Sequence, residues 1–168
     1  FCFVILDITY LKMKNFLFIL LICPLLFLGQ ESLSLDDILT INDKNAFLKV
    51  VIENGYSEGN SSSNKIYYGK GLSKDKTKAT DWAEFSIDSG EFYFEQNDLV
   101  FTRKNNNCYY DLIVAEIKKQ CEYTKISTHS SKTGEVKFTT YICPGAKYSG
   151  MLGFAQDHGN GIIQEFPN

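Results

Sequence analysis

Histidine is scarce in this chain, with only His129 and His158 to act as imidazole bases or metal ligands. A hydrolytic triad needs a nucleophile, a base and an orienting carboxylate, and neither histidine stands in such company. Both fall beside turn-forming stretches, Ser130 to Gly134 and Gly159-Asn160-Gly161, where side chains are usually exposed. Asp157 and His158 are neighbours in sequence, and on a strand their side chains would diverge. No two of Cys108, Cys121 and Cys143 have zinc-finger spacing. Asp75 to Asp81 carries carboxylates only at its ends. A calcium loop needs oxygen ligands at alternating positions and a central glycine. Gly69 to Lys74 lacks the full glycine spacing and the following helix of a phosphate loop, and reads as a polar hairpin. The expectation is no catalytic, cofactor-binding or metal-ligating set. Glu84 and Glu95 are the last acidic pair to weigh. A tight turn at Ser89-Gly90 places them opposite each other, where they read as solvated surface rather than as paired glycosidase acids.

Blocks of one charge are also missing. From Glu31 onward, with Lys12, Lys14 and Asp7 set aside, 15 of the 17 basic and 19 of the 20 acidic residues remain. That is a mild acidic excess without a basic patch, so nucleic acid is excluded as a partner class. Long apolar runs are confined to Phe16–Leu28, 13 residues after Lys12 and Lys14. A spanning helix needs ~20 apolar residues, and Pro24 weakens a long helix further. Residues 13–30 therefore read as a secretory signal removed on export, leaving no stable membrane insertion. Cys23 has Ile22 before it rather than a small residue, which argues against lipid attachment. Residues 1–12, which precede the Met13-Lys14 start, read as upstream or fragment sequence. The location expected is periplasmic or extracellular.

What is present is aromatic and β-branched. Residues 31–168 are enough for one α+β domain. Ser34 to Asp37 forms a capping-box variant, and Asn42 is placed to cap a helix over "DKNAFLKVVIEN", which Gly55 ends. Ser57–Asn64 reads as a polar loop. "KIYYGKGL", "DWAEFSID", "EFYFEQ" and "LVFTRK" follow as strands. Phe85 then faces Phe94 and Ile87 faces Phe92. "YYDLIVAEIKKQ", capped by Asn107, is a second helix with Tyr110, Ile113, Val114 and Ile117 on one stripe. Four more strands come after it: "CEYTKIST", "EVKFTTYIC", "KYSGMLGFAQ" and "GIIQEF". The expectation is an antiparallel sheet with helices on one face, in two tandem helix-plus-four-strand units, 35–104 and 107–168. Phe85, Ile87, Phe92, Phe94, Val114, Ile117, Phe138 and Ile142 are the expected core between helices and sheet.

A hairpin centred near Lys132 sets Thr128 opposite Val136, Ile126 opposite Phe138, Tyr123 opposite Tyr141 and Cys121 opposite Cys143. Facing β-carbons lie ~4.5–5.5 Å apart, close enough for a Cys121–Cys143 disulfide. Cys108 is left over, because an intact helix holds it ~20 Å from Cys121.

The leader ending "LFLGQ", Leu26–Gln30, resembles leaders of exported proteins from Flavobacteria and their relatives. The tandem order of elements is similar to that of the secreted beta-lactamase inhibitor protein fold. That likeness concerns topology and carries no site residue across.

Tyr67, Trp82, Tyr93, Tyr123 and Tyr141 are the candidate binding face, since tyrosine and tryptophan combine large rigid area with a polar tip. The function expected is an exported binding or interaction protein for a protein or small ligand, without a catalytic site. The alternative is a small extracytoplasmic hydrolase using His129 or His158 with a carboxylate.

Overall fold

The structure, a computed structural model, describes residues 32–131 and 134–167. The signal expected at 13–30 and the segment 1–12 lie outside the described residues. The fold is α+β. Four helices and eight strands are described: α1 (Leu35–Leu39), α2 (Lys44–Glu53), β1 (Ser57–Glu58), β2 (Lys65–Lys70), β3 (Asp81–Ser86), β4 (Phe92–Gln96), α3 (Leu99–Lys104), α4 (Tyr109–Gln120), β5 (Glu122–Ser131), β6 (Gly134–Ile142), β7 (Met151–Asp157) and β8 (Asn160–Phe166). The strands form one antiparallel sheet in the order β1-β2-β3-β4-β8-β7-β6-β5. That order is palindromic about the β4–β8 pair.

Local chemistry starts the helices. The Ser34 hydroxyl accepts from the Asp37 N–H at 3.1 Å, and the Asp37 carboxylate accepts from the Ser34 N–H at 3.0 Å. This is the expected capping box, with Asp in place of the usual Glu. The cap of α2 is Asp43, not Asn42, and it accepts from the Ala46 N–H at 2.8 Å. The N-cap of α4 is Cys108 rather than Asn107, and it makes no side-chain cap bond. Gln96 of β4 serves that end instead. It accepts from the Tyr110 N–H at 3.1 Å and donates to the Asn107 carbonyl at 2.8 Å.

The alternation of β3 and β4 turns Ala83, Phe85, Phe92 and Phe94 toward the helices, where all are buried. Phe47 of α2 sits 5.3 Å from the Phe85 ring and 5.9 Å from that of Phe94. Leu35, Ile38, Ile113 and Ile117 complete this core, and Val114 is half-buried against it.

Three expectations need correction. "LVFTRK" is α3, not a strand. Asp98, in the left-handed region, caps it by accepting from the Phe101 N–H at 3.1 Å, and a six-residue stretch with three apolar residues carries too little periodicity to separate the two forms. The fourth strand of the first half is instead β1, inside the expected loop 57–64. The β3–β4 turn spans Ile87 to Gly90, with Gly90 at φ +76°. Phe85 therefore pairs with Phe92, and Ala83 with Phe94. Ile87 is left in the turn and exposed.

The third correction is a bulge in β5 between Tyr123 and Lys125. Outside it the expected pairing holds, Tyr123 with Tyr141 and Glu122 with Ile142. The Cys121–Cys143 disulfide closes beyond them, with α-carbons 4.3 Å apart. Past the bulge every pair shifts by one, giving Ser127 opposite Phe138 and His129 opposite Val136. A bulge adds a residue to one strand and reverses which face later residues take. β6 carries no bulge, so Val136, Phe138 and Ile142 share one face, and it is the face away from the helices, where Phe138 is buried and Ile142 exposed. Neither belongs to the core between helices and sheet.

Candidate functional site: the open sheet face

The second face of the sheet carries Lys65 and Tyr67 of β2, Trp82 and Glu84 of β3, and Tyr93 and Glu95 of β4. Cross-strand pairing sets them in two rows. Tyr67, Glu84, Tyr93 and Gln164 form one, and Gly69, Trp82, Glu95 and Ile162 the other. The β2–β3 loop folds over the outer edge of this face. A β-carbon at Gly69 would meet Leu72 at 2.7 Å and Ala79 at 2.9 Å.

At the other side Val136, Phe138, Ala155 and Ile162 form a second buried apolar cluster, with Tyr93 and Phe166 packed against it. Ring centroids of Phe138 and Phe166 are 5.0 Å apart, and His129 lies 6.2 Å from Phe166. The β5–β6 hairpin therefore arches over the face, and a groove of about 670 Å³ opens between it and β2–β4. Val136, Phe138 and Ile162 supply apolar lining, with Glu84, Glu91, Glu95, Asp157, Lys65 and His129 around them. A smaller recess of about 300 Å³ adjoins it, lined by Tyr67, Trp82, Tyr93, Glu84, Glu95, Asn60 and Lys76. Glu84, Tyr93 and Glu95 line both.

Hydrogen bonds fix the polar groups. The Lys65 ammonium pairs with the Glu84 carboxylate, which holds the Lys65 pKa above its ordinary value. The Tyr93 hydroxyl donates to Glu95 Oε2 at 2.8 Å, and Asn160 Nδ2 donates to Glu95 Oε1 at 2.7 Å. Burial first, and the Glu95 charge second, push the Tyr93 hydroxyl far above the usual tyrosine range. Burial and Glu84 push Tyr67 the same way. Both phenols thus stay neutral at ordinary pH.

Of the five aromatic candidates, Tyr67, Trp82 and Tyr93 come together here. Tyr141 is buried on the helix face, stacked 5.6 Å from Phe154, and Tyr123 pairs beside it. Tyr141 alternates with Val136 and Phe138 along β6 and so takes the helix side, and Tyr123 is paired with it there. Glu84 and Glu95 do not face each other. Each sits opposite an aromatic residue, which makes them diagonal neighbours. His129 is not in a turn but in β5, lining the groove. His158 is in the β7–β8 turn, at φ +48°. That conformation brings its Nδ1 to 2.6 Å from Asp157 Oδ1, where a strand would have separated them. Among the described residues no group of three or more His, Cys, Asp or Glu side chains could hold a metal ion. Sequence reasoning passed over Glu91, Ile162 and Gln164, and weighed Asp157 only as a partner for His158. The alternation of "GIIQEF" alone sets Ile162 and Gln164 on one side, and carrying it across β4 would have found them.

No family model, curated protein or solved structure matches this chain.

Proposed function

We propose that the chain is a small exported binding protein that receives its ligand on the open face of the sheet and acts by recognition rather than catalysis. The observation that carries this reading is the groove itself. The helices leave one face uncovered, and that face combines apolar lining, three half-buried aromatic side chains and hydrogen-bonded carboxylates. Ligand sites are typically concave, largely apolar and furnished with a few oriented polar groups. The Cys121–Cys143 bridge is in keeping with an oxidising compartment, and among the described residues no helix is long and apolar enough to cross a membrane.

The test is selection of ligands from a random peptide library against the full chain, followed by binding to variants. Phe138→Asp and Tyr93→Ala on the open face should abolish binding, while Leu112→Asp on the exposed side of α4 leaves it intact. The opposite pattern would overturn the assignment of the face. A hydrolase remains the second reading because the fold brings His129 into the groove. Turnover of chromogenic ester or glycoside substrates that is lost in His129→Ala would replace the binding reading.

A further inference from the structure

The recess at Tyr67, Trp82 and Tyr93 has a chemistry of its own. Two carboxylates, Glu84 and Glu95, alternate with the three rings across β2–β4. Glu84 is neutralised by Lys65. Glu95 is not: both its hydrogen-bond donors, Tyr93 and Asn160, are neutral, and among the described residues it forms no ion pair. Each carboxylate oxygen accepts about two hydrogen bonds, and one donor is seen on each oxygen of Glu95. A carboxylate fixed in place, left with its charge and spare acceptor sites, and set beside Trp82 and Tyr93 is a seat for a cation. Aromatic faces attract ammonium and guanidinium groups, tryptophan most strongly, and a carboxylate takes a guanidinium in a two-pronged hydrogen bond.

We infer that this recess binds the cationic side chain, arginine or lysine, of a peptide segment whose neighbouring residues lie along the adjoining groove. The size fits a side-chain head, since about 300 Å³ is at the small end of ligand sites. The continuity fits a polypeptide: the recess opens through Glu84, Tyr93 and Glu95 into the larger groove with its apolar lining. The charge fits as well, because Glu84, Glu91, Glu95 and Asp157 outnumber Lys65 and Lys76 around the two cavities. Lys76, on the β2–β3 loop, also lines the recess and is the one basic side chain there among the described residues.

This inference rests on the open-face reading and is tested separately from it. Trp82 is the only tryptophan in the chain, so its emission reports directly from the recess. The probes, added to the full oxidised chain, are N-acetyl-leucyl-arginyl-leucine amide, its citrulline counterpart, which has the same shape without the charge, and N-acetyl-arginine amide. The arginine peptide should change Trp82 emission saturably, and the citrulline peptide should bind at least ~10-fold more weakly, as expected for loss of an ion pair to a fixed carboxylate. Glu95→Gln and Tyr67→Leu, with unchanged melting curves, should each weaken the arginine peptide by ~5–10-fold. Equal binding of the arginine and citrulline peptides, or indifference to both substitutions, overturns the cation site. If N-acetyl-arginine amide binds as tightly as the peptide, the occupant is a small cation and the polypeptide assignment is overturned. Library peptides that lose binding in Phe138→Asp but not in Glu95→Gln would sink this inference and leave the open-face reading standing.

Discussion

Replacing Gly161 by alanine tests how α4 is seated on the sheet. Gly161 lies in β8 between Gln96 of β4 and Gln156 of β7, and the Tyr110 ring crosses directly over it. An added methyl would stand 2.5 Å from the ring Cγ, 2.6 Å from Cδ2 and 2.9 Å from Cδ1. Relaxed carbon contacts are ~3.5–4.0 Å, so the ring must withdraw by ~1 Å. It has little room to do so. Tyr110 is buried, its N–H is bound to Gln96 Oε1 at 3.1 Å, and its hydroxyl bonds to Gln156. Overpacking a filled core costs ~1–3 kcal/mol, while removing a glycine from the unfolded chain returns at most ~1 kcal/mol. The expected net loss is ~1–2 kcal/mol, or a few degrees in Tm for a domain of this size. Urea unfolding followed by Trp82 fluorescence and by circular dichroism measures it. In a Tyr110→Leu background the same alanine should cost nothing or stabilise, a coupling of ~1–2 kcal/mol across the pair. A cost below ~0.5 kcal/mol, or the same cost with and without the tyrosine ring, would refute this packing of α4 on β8.

The β3–β4 register predicts that Phe94→Ala, at a fully buried site, costs ~3–5 kcal/mol. Ile87→Ser and Ile142→Ser, both exposed, should stay within ~0.5 kcal/mol by denaturant titration. Reduction of Cys121–Cys143, which closes a loop with a sequence separation of 22, should cost ~3 kcal/mol on the loop-entropy estimate. A loss under ~1 kcal/mol in urea with reductant would show that the bulged hairpin holds together without it. Glu165 gives a pH dependence. Burial, and then the nearby Glu91, raise its pKa from 4.5 to about 7. The folded form therefore keeps a proton that the unfolded form releases, so stability is complete below about pH 4.5 and is lost as pH rises through about 7. A shift of that size sets the loss at no more than ~3 kcal/mol. Stability curves measured from pH 4 to 8 should flatten over this window in Glu165→Gln.

How much of this was legible in the sequence depends on which kind of register error was made. Reading Ser89-Gly90 as a two-residue turn, where the chain uses Ile87 to Gly90, displaced the β3–β4 pairing by two residues. Side chains alternate with period two, so an error of two leaves each residue on its proper face. Trp82, Glu84 and Tyr93 were therefore placed correctly opposite the helices, and only their neighbours were misnamed. The β5 bulge is an error of one, and it exchanged faces instead. It separated Ile126 from the face of Phe138 and turned His129 onto that of Val136, into the wall of the site, whereas Phe138 and Ile142 of the unbulged β6 had been assigned to the wrong side of the sheet. No side chain at Tyr123, Thr124 or Lys125 announces a bulge, because the extra residue is selected by the pairing of both strands and not by local preference. The disulfide survived this error because Cys121 and Cys143 lie on the near side of the bulge, where the two registers coincide. The candidate site divides along the same line. Its β2–β4 half, with the rings and carboxylates, follows from alternation alone. In its β5–β6 half, Val136 and Phe138 follow from the alternation of β6, and only His129 depends on one unannounced residue. Deleting Thr124 would remove the bulge and turn the β5 residues beyond it to the other face, taking His129 out of the groove wall while Val136 and Phe138 of β6 stay in place. The second apolar cluster, built from β6, β7 and β8, would be retained together with the Cys121–Cys143 bridge and the first core.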